Sequence, residues 1–308
     1  MTRRPRGIPI HGWLVIDKPA GMTSTRVVGT VRRLTGAAKA GHGGTLDPLA
    51  TGLLPVALGE ATKTAAYVLD GTKSYRFTVR WGEARSTDDA EGGITATSDR
   101  RPDGVAIRAV LPRFRGAIQQ VPPAFSAVHV AGERAYDLAR AGVAVDLAPR
   151  TVTIARLELV DQPDADHAVF EMESGKGAYV RSLGRDLALA LGTVGHVAAL
   201  RRTAIGPFTE AHAISLESLG TVGHSPAALR QLLPVETALD DIPALALTDT
   251  EANRLRCGQP VGLFRRQDLQ RIGHLESGSL VCAMAGGKPV ALARFEGGDL
   301  RPVRVLNL

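Results

Sequence analysis

Residues 41–55, Gly-His-Gly-Gly-Thr-Leu-Asp-Pro-Leu-Ala-Thr-Gly-Leu-Leu-Pro, constrain this chain more than any other stretch. Four glycines and two prolines exclude a plain helix or strand across the segment. Pro48 fixes its own φ and holds Asp47 in extended or turn geometry. The glycines let backbone approach a bulky ligand closely. The segment therefore presents a carboxylate on a constrained loop, as catalytic acids and nucleophiles often are. An Asp that only shapes its own turn is the alternative.

Charge adds a second constraint. The net charge is +6 over 308 residues. Residues 1–40 hold eight Lys or Arg and one acidic residue, net +7, so the other 268 residues sum to −1. Such a concentration suits a polyanion, most simply a nucleic-acid backbone. Arg3, Arg4 and Arg6 read equally as a basic tail. Arg26, Arg32, Arg33 and Lys39 fall in or just after a predicted helix. Apolar residues make up 44% of the chain, enough for a sizeable core. Two cysteines, Cys257 and Cys282, are no disulfide framework. No secretory segment or 18-residue apolar run is visible, so a cytoplasmic protein is expected.

Patterning places the elements. Trp13 to Ile16 reads as a strand, closed by a Lys18–Gly21 turn. Thr23 or Ser24 caps a helix with Val27, Val31 and Leu34 on its apolar stripe and Gly36 at its stop. Residues 74–81 alternate strictly, with Tyr75, Phe77, Val79 and Trp81 on one face. Residues 82–101 read as a long polar loop, and 105–116 as a helix. A short helix is expected over 133–140. Residues 151–160 and 167–173 read as paired antiparallel strands. A helix from about 179 carries Val180, Leu183, Leu187 and Leu191. Residues 215–240 look helical with proline interruptions. From about 241 short alternating runs with glycine turns indicate a small β-rich unit. Strands and helices mix without a βαβ rhythm, so the expected class is α+β.

The chemistry is bounded by absences. No phosphate-binding glycine loop of either common type follows a strand, so no nucleotide cofactor is signalled. No Cys-x-x-Cys, His-Glu-x-x-His or close His pair exists among the eight histidines, so no metal is expected.

The ordered motifs carry a resemblance. The 41–55 segment, the Trp13–Met22 stretch with its Lys-Pro-x-Gly-Met turn, Lys73-Ser-Tyr-Arg-Phe, Lys176-Gly-Ala-Tyr-Val-Arg-Ser-Leu and Leu200-Arg-Arg-Thr resemble, in order, the motifs of the bacterial tRNA pseudouridine synthase B family. The likeness covers roughly residues 10–215, with Gly43 a departure where many relatives carry a larger residue. It implies a mixed, largely antiparallel sheet flanked by helices over residues 1–240. It also implies a small PUA-like RNA-binding domain over 241–308. The implied activity is isomerisation of uridine-55 in the T-loop of tRNA, by a monomer without cofactor, membrane or protein partner.

The resemblance also implies roles. Asp47 is the carboxylate. Arg181 is its counter-ion, where the residue alone reads as a surface arginine. Tyr75 is a platform for uracil or a late proton acceptor, where alone it reads as core. His42 fills the space left by the flipped base. Tyr179 and Leu200 are pocket walls, and Lys18 lies at the pocket edge or on a phosphate. Asp89 orients the arginine, with Asp88 one position away. Arg201 and Arg202 are candidate phosphate contacts. A tRNA-binding or folding module without chemistry is the alternative from another class, and a uracil-releasing glycosylase a third.

Overall fold

The computed structural model describes residues 7–130, 132–222, 230–264, 266–273 and 275–308. Arg3, Arg4 and Arg6, and part of the 215–240 stretch, lie outside them. Strand β1 (Gly12–Lys18) leads into helix α1 (Ser24–Thr35). The Thr23 hydroxyl caps α1 by accepting from Arg26 N–H, and left-handed Gly36 ends it. Val27 and Val31 are buried, and Arg26, Arg32 and Arg33 face solvent.

Strands β2 (Ala40–His42) and β3 (Thr51–Leu58) bracket the Asp47 loop. No plain helix or strand runs across 41–55, as expected, though both ends of the segment enter strands. Leu53, Leu54, Val56, Ala57 and Leu58 are all buried. Each buried aliphatic side chain contributes ~1.5–3 kcal/mol, against ~1 kcal/mol for the ladder bond that Pro55 cannot donate. Burial therefore wins, and the Pro55 carbonyl still accepts from Gly43 N–H at 2.8 Å.

Beyond helix α2 (Ala65–Asp70) comes strand β4 (Lys73–Trp81), whose alternation is as expected. Residues 82–101 are no simple loop. They form a hairpin of β5 (Glu83–Arg85) and β6 (Ile94–Thr97), with Arg85 donating to the carbonyls of Ala90 and Gly92. Helix α3 (Gly104–Val110) is shorter than expected and gives way to a 3-10 turn before β7 (Gly116–Gln120). A small hairpin of β8 (His129–Val130) and β9 (Glu133–Arg134) precedes helix α4 (Ala135–Arg140). Strands β10 (Arg150–Asp161) and β11 (His167–Ser174) pair antiparallel. Helix α5 (Val180–Ala190) follows, then β12 (Gly195–Ile205), β13 (Phe208–Thr209), β14 (Ala213–Ser215) and helix α6 (Leu216–Val222).

These strands build one ten-stranded sheet in the order β14-β1-β3-β12-β4-β11-β10-β7, with β2 and β13 at its sides. Only β1–β14 and β3–β12 pair in parallel, so the sheet is largely antiparallel, as expected. Strand β12, which the sequence pattern does not signal, lies at its centre between β3 and β4. One face is covered by α1 and α5, whose Val27, Val31 and Leu183 share an apolar cluster with Leu14, Ile16, Phe77 and Val79.

The C-terminal residues form a separate five-stranded sheet of β15 (Ala244–Ala246), β16 (Val261–Gly262), β17 (Leu280–Ala285), β18 (Lys288–Glu296) and β19 (Asp299–Val305), with its own apolar cluster. Leu306 returns to pack with Trp13 and Phe208, and Lys63 donates to the Val305 carbonyl. The α+β class with a β-rich C-terminus is borne out. No helix among the described residues is long and apolar enough to cross a membrane.

Candidate active site

Asp47 lies in the loop between β2 and β3, where no ladder satisfies the backbone. Residues 18–24 supply the missing partners. Gly21 N–H donates to the Pro48 carbonyl at 2.8 Å. The Ser24 hydroxyl accepts from Leu46 N–H at 2.9 Å and donates to Leu46 C=O at 3.1 Å. The Lys18 ammonium donates to the carbonyls of Pro19, Met22 and Pro48 at 3.0, 2.7 and 3.0 Å. An ammonium has three N–H groups, and all are engaged on backbone. Lys18 is 0% exposed. Its expected place at a pocket edge or on a phosphate is thus corrected: it fastens the Lys18–Met22 turn to the Asp47 loop. Burial lowers its pKa, and the nearby Asp47 charge opposes that.

Arg181 begins α5 and is buried. Its Nη2 donates to Asp47 Oδ1 at 3.2 Å and to the Phe125 carbonyl at 2.9 Å, and Nη1 donates to the Thr87 carbonyl at 3.1 Å. Its Nε lies 2.9 Å from Asp47 Oδ2, off the direction of the N–H, so that contact is Coulombic. The Asp47 carboxylate is 35% exposed against 6% for the guanidinium. The pair therefore has a dry cation and a partly exposed anion.

Asp89 sits 3.7 Å from Arg181 Nε and is itself buried. Its Oδ1 accepts from the Thr87 hydroxyl and from Glu91 N–H. Asp88 turns the other way, with φ 60°, and pairs with Arg185 at 2.8 Å. The one-position ambiguity is resolved in geometry: Asp89 faces Arg181. Burial raises the Asp88 carboxyl above its ordinary value despite Arg185. Glu91 is raised first by burial and then by the Asp89 and Asp47 charges.

Tyr75 stands on β4 opposite Met172 on β11 and Arg202 on β12, with 9% exposure. Leu200 lies on the same inner face, and its carbonyl accepts from Thr51 Oγ1 at 3.4 Å. His42 ends β2, and its Nδ1 accepts from Gly44 N–H at 3.4 Å. Burial, then the Arg202 charge, lowers its pKa, so the ring is neutral. Tyr179 precedes α5, with its ring against Val128, Ala135 and Leu147. Asp47, Arg181 and Asp89 form one ion-paired cluster. Lys18 and His42 adjoin it through the loop, and Tyr179 is turned toward the 121–147 segment.

Sequence reasoning missed one residue and misassigned another. Gln120 is buried at the end of β7, and its amide brackets the Tyr179 backbone: Tyr179 N–H donates to Oε1 at 2.8 Å, and Nε2 donates to Tyr179 C=O at 3.1 Å. A glutamine closing a strand before Val-Pro-Pro was the available signal. The other is Arg202, which cannot meet a phosphate because it is 1% exposed. Arg201 is on the outer face, paired with Asp17 at 2.9 Å and Glu210 at 2.7 Å. That face carries a polar groove lined by Arg76, Arg156, Glu171, Glu173, Arg201 and Glu210. No group of three or more metal-ligating side chains occurs among the described residues.

Over its whole length the chain is 58% identical to the tRNA pseudouridine synthase B of Rhodospirillum rubrum, with 100% of each chain covered. The chain belongs to the tRNA pseudouridine synthase B family. The family model "TruB family pseudouridylate synthase (N terminal domain)" matches residues 32–180, and "tRNA pseudouridylate synthase B C-terminal domain" matches 181–240. The same-named protein of Caulobacter vibrioides is 54% identical over 309 residues, again covering 100% of both. Among solved structures, the archaeal box H/ACA sRNP Nop10–Cbf5 complex contains a chain with a TM-score of 0.73 and 25% identity, covering 99% of this chain and 92% of that one. Within the tRNA pseudouridine synthase B fold, the 181–240 match begins at the arginine that meets Asp47 and includes β12, so it is continuous with the large sheet.

Proposed function

We propose that this enzyme, an isomerase of tRNA by its family, converts uridine-55 in the T-loop of the TΨC arm to pseudouridine. The observation that carries the reading is the Asp47–Arg181 pair, an open carboxylate against a buried guanidinium. In the reaction the C1′–N1 bond breaks, the base rotates, C1′ bonds to C5, N1 gains a proton and the C5 proton leaves to solvent. Nothing is oxidised and no water is consumed. One carboxylate serves each available route, addition to sugar or base or removal of a sugar proton. Arg181 stands against it as the counter-charge, and Asp89 lies behind Arg181 at 3.7 Å.

The T-loop uridine is stacked, so it must be extracted, at a cost of a few kcal/mol recovered in the pocket. Tyr75 is the platform for the uracil. His42, neutral and on the glycine turn, fills the vacated stack. Leu200 and Tyr179 are walls. Residues 1–240 act as the catalytic domain and 241–308 as a PUA-like RNA-binding domain, in the cytoplasm. The exposed face of α1, with Arg26, Arg32 and Arg33, supplies phosphate contacts.

The test is tritium release from a T-arm stem-loop labelled at C5 of its uridines. Wild type releases label and converts the loop uridine, while Asp47→Asn binds the RNA and releases none. Undiminished release by Asp47→Asn overturns the reading. Tight, salt-sensitive binding without release by either protein favours a binding module, and free uracil a glycosylase.

A further inference from the structure

Arg202 is among the largest fully buried side chains of the molecule. Burying a guanidinium is costly and is normally compensated by a carboxylate. Among the described residues none lies within ion-pairing distance. Its ligands are uncharged oxygens instead. Nε donates to the Leu53 carbonyl at 2.8 Å, Nη2 to Gly44 at 3.0 Å and Nη1 to Thr45 at 3.5 Å. The Tyr75 hydroxyl lies within hydrogen-bonding reach of the same group.

These oxygens belong to three places that must agree for the reaction proposed above. Gly44 and Thr45 lead into Asp47, Leu53 lies on β3 just after the loop, and Tyr75 is on β4. The backbone is shaped around the group. Gly44 has φ +146°, and a Cβ there would lie 3.3 Å from Arg202 Nη1. Gly52, opposite Arg202 in the parallel β3–β12 pairing, has φ +94°, and its Cβ would lie 2.2 Å from the Arg202 carbonyl oxygen. Gly52 admits a backbone approach that a side chain would block, and Gly44 holds a positive φ that L residues rarely adopt.

We infer that Arg202 is a positioning residue for the isomerisation: its guanidinium fixes the two ends of the Asp47 loop and the Tyr75 hydroxyl in one frame. A guanidinium has five donors in a rigid plane, so it sets distances and angles among its acceptors. With the guanidinium beside it, the Tyr75 hydroxyl is held in the same frame as the Asp47 loop. A lysine retains the charge at this site but has neither the planar fork nor the reach to all four oxygens.

This inference rests on the isomerase reading, and wild-type conversion of the labelled T-arm tests that reading first. Arg202→Lys is then compared with wild type in single-turnover conversion at saturating RNA, in RNA affinity and in thermal unfolding. The expected result is a cooperative melt, affinity within about threefold of wild type, and a rate constant lower by on the order of 100-fold, as for a misplacement near 1 Å. In a Tyr75→Phe background the same substitution costs less, because part of the effect passes through the hydroxyl. A rate within about threefold of wild type, or full additivity with Tyr75→Phe, overturns the inference. Where Arg202→Lys does not fold, Tyr75→Phe alone decides by amide hydrogen exchange over residues 44–53. Faster exchange there supports the shared frame, and unchanged protection overturns it.

Discussion

Replacing Gln120 by methionine keeps the side chain's length and removes both of its hydrogen bonds to the Tyr179 backbone. The two groups do not lose equally. The Tyr179 carbonyl also accepts from Leu183 N–H at 3.1 Å, the first turn of α5, so it stays paired. The Tyr179 N–H has Gln120 Oε1 as its partner at 2.8 Å and is orphaned. A part-buried donor left without its partner costs toward the low end of ~1–3 kcal/mol, and a missing bond to a still-satisfied acceptor ~0.5–1.5 kcal/mol, about 2 kcal/mol together. At roughly 2–4 °C per kcal/mol for chains of a few hundred residues, the melting temperature falls by at least about 4 °C. The consequence for function follows from position, since Arg181 is two residues beyond Tyr179. Loosening the start of α5 displaces the guanidinium that meets Asp47, and the single-turnover rate falls by ~10–100-fold while RNA affinity holds. Thermal unfolding and tritium release on one preparation measure both effects. An unfolding midpoint within about 1 °C of wild type, or an unchanged rate despite a lowered midpoint, refutes the reasoning.

Three other outcomes are expected. Arg181→Lys retains the charge but replaces the fork by one ammonium, leaving the Thr87 or Phe125 carbonyl unpaired. At ~1.5–3 kcal/mol for each charged hydrogen bond removed, the rate constant for conversion drops by ten- to a hundredfold or more in single-turnover assays. Arg26, Arg32 and Arg33 are exposed and none pairs with a carboxylate among the described residues, so charge reversal of all three lowers T-arm affinity. It also flattens the plot of log affinity against log salt by ~0.7–0.9 for each phosphate the protein no longer neutralises, measured by filter binding. Finally, His42 and His196 are both held below their ordinary value of 6.5, chiefly by burial. Below that value the unfolded chain binds more protons than the folded one. Stability is therefore full above it and is lost as pH falls through the lowered folded values, which urea midpoints on either side of pH 6.5 report.

What was legible in the sequence is what is local. Thr23, the Val27–Val31 stripe and Gly36 specify α1 by capping and period, and Tyr75 to Trp81 specify β4 by alternation. Strand β12 was not legible because it lies mid-sheet between β3 and β4, and Gly195, His196 and Val197 are buried in succession. Alternation begins only at Leu200, and irregularities at Val197/Ala199 and Arg202/Ala204 break its period. The β5–β6 hairpin has no apolar face to reveal it, and its order comes from Arg85 and the packing of Asp89 beside Val197. Asp47 stood out by composition alone. Arg181, 134 positions away, and Tyr75 came from the resemblance, because charge pairing across the sheet leaves no local mark. Gly43, the departure from the family pattern, has a reason in packing. A Cβ there would lie 2.9 Å from Val68 Cγ1 and 3.3 Å from the Trp13 ring, so those side chains already fill the space.

The two cations assigned to the RNA by sequence, Lys18 and Arg202, show why residue type alone misleads here. A loop that offers a carboxylate to a bulky substrate cannot lie within a ladder, so its carbonyls need donors from elsewhere. Neutral side chains bring one or two N–H groups each; Lys and Arg bring three and five on long stems. Lys18 engages Pro48 after Asp47, while Arg202 engages Gly44 and Thr45 before it and Leu53 beyond. Among the described residues neither has a carboxylate in contact, so their charge beneath the loop is not neutralised by a partner. Asp47 is thus framed by three buried cations, of which only Arg181 touches it. That division leaves one carboxylate free at the surface of a rigid, electropositive turn. It implies that neutralising Lys18 loosens the Lys18–Met22 turn and the Asp47 loop together, rather than weakening RNA binding as removal of a phosphate-binding cation would.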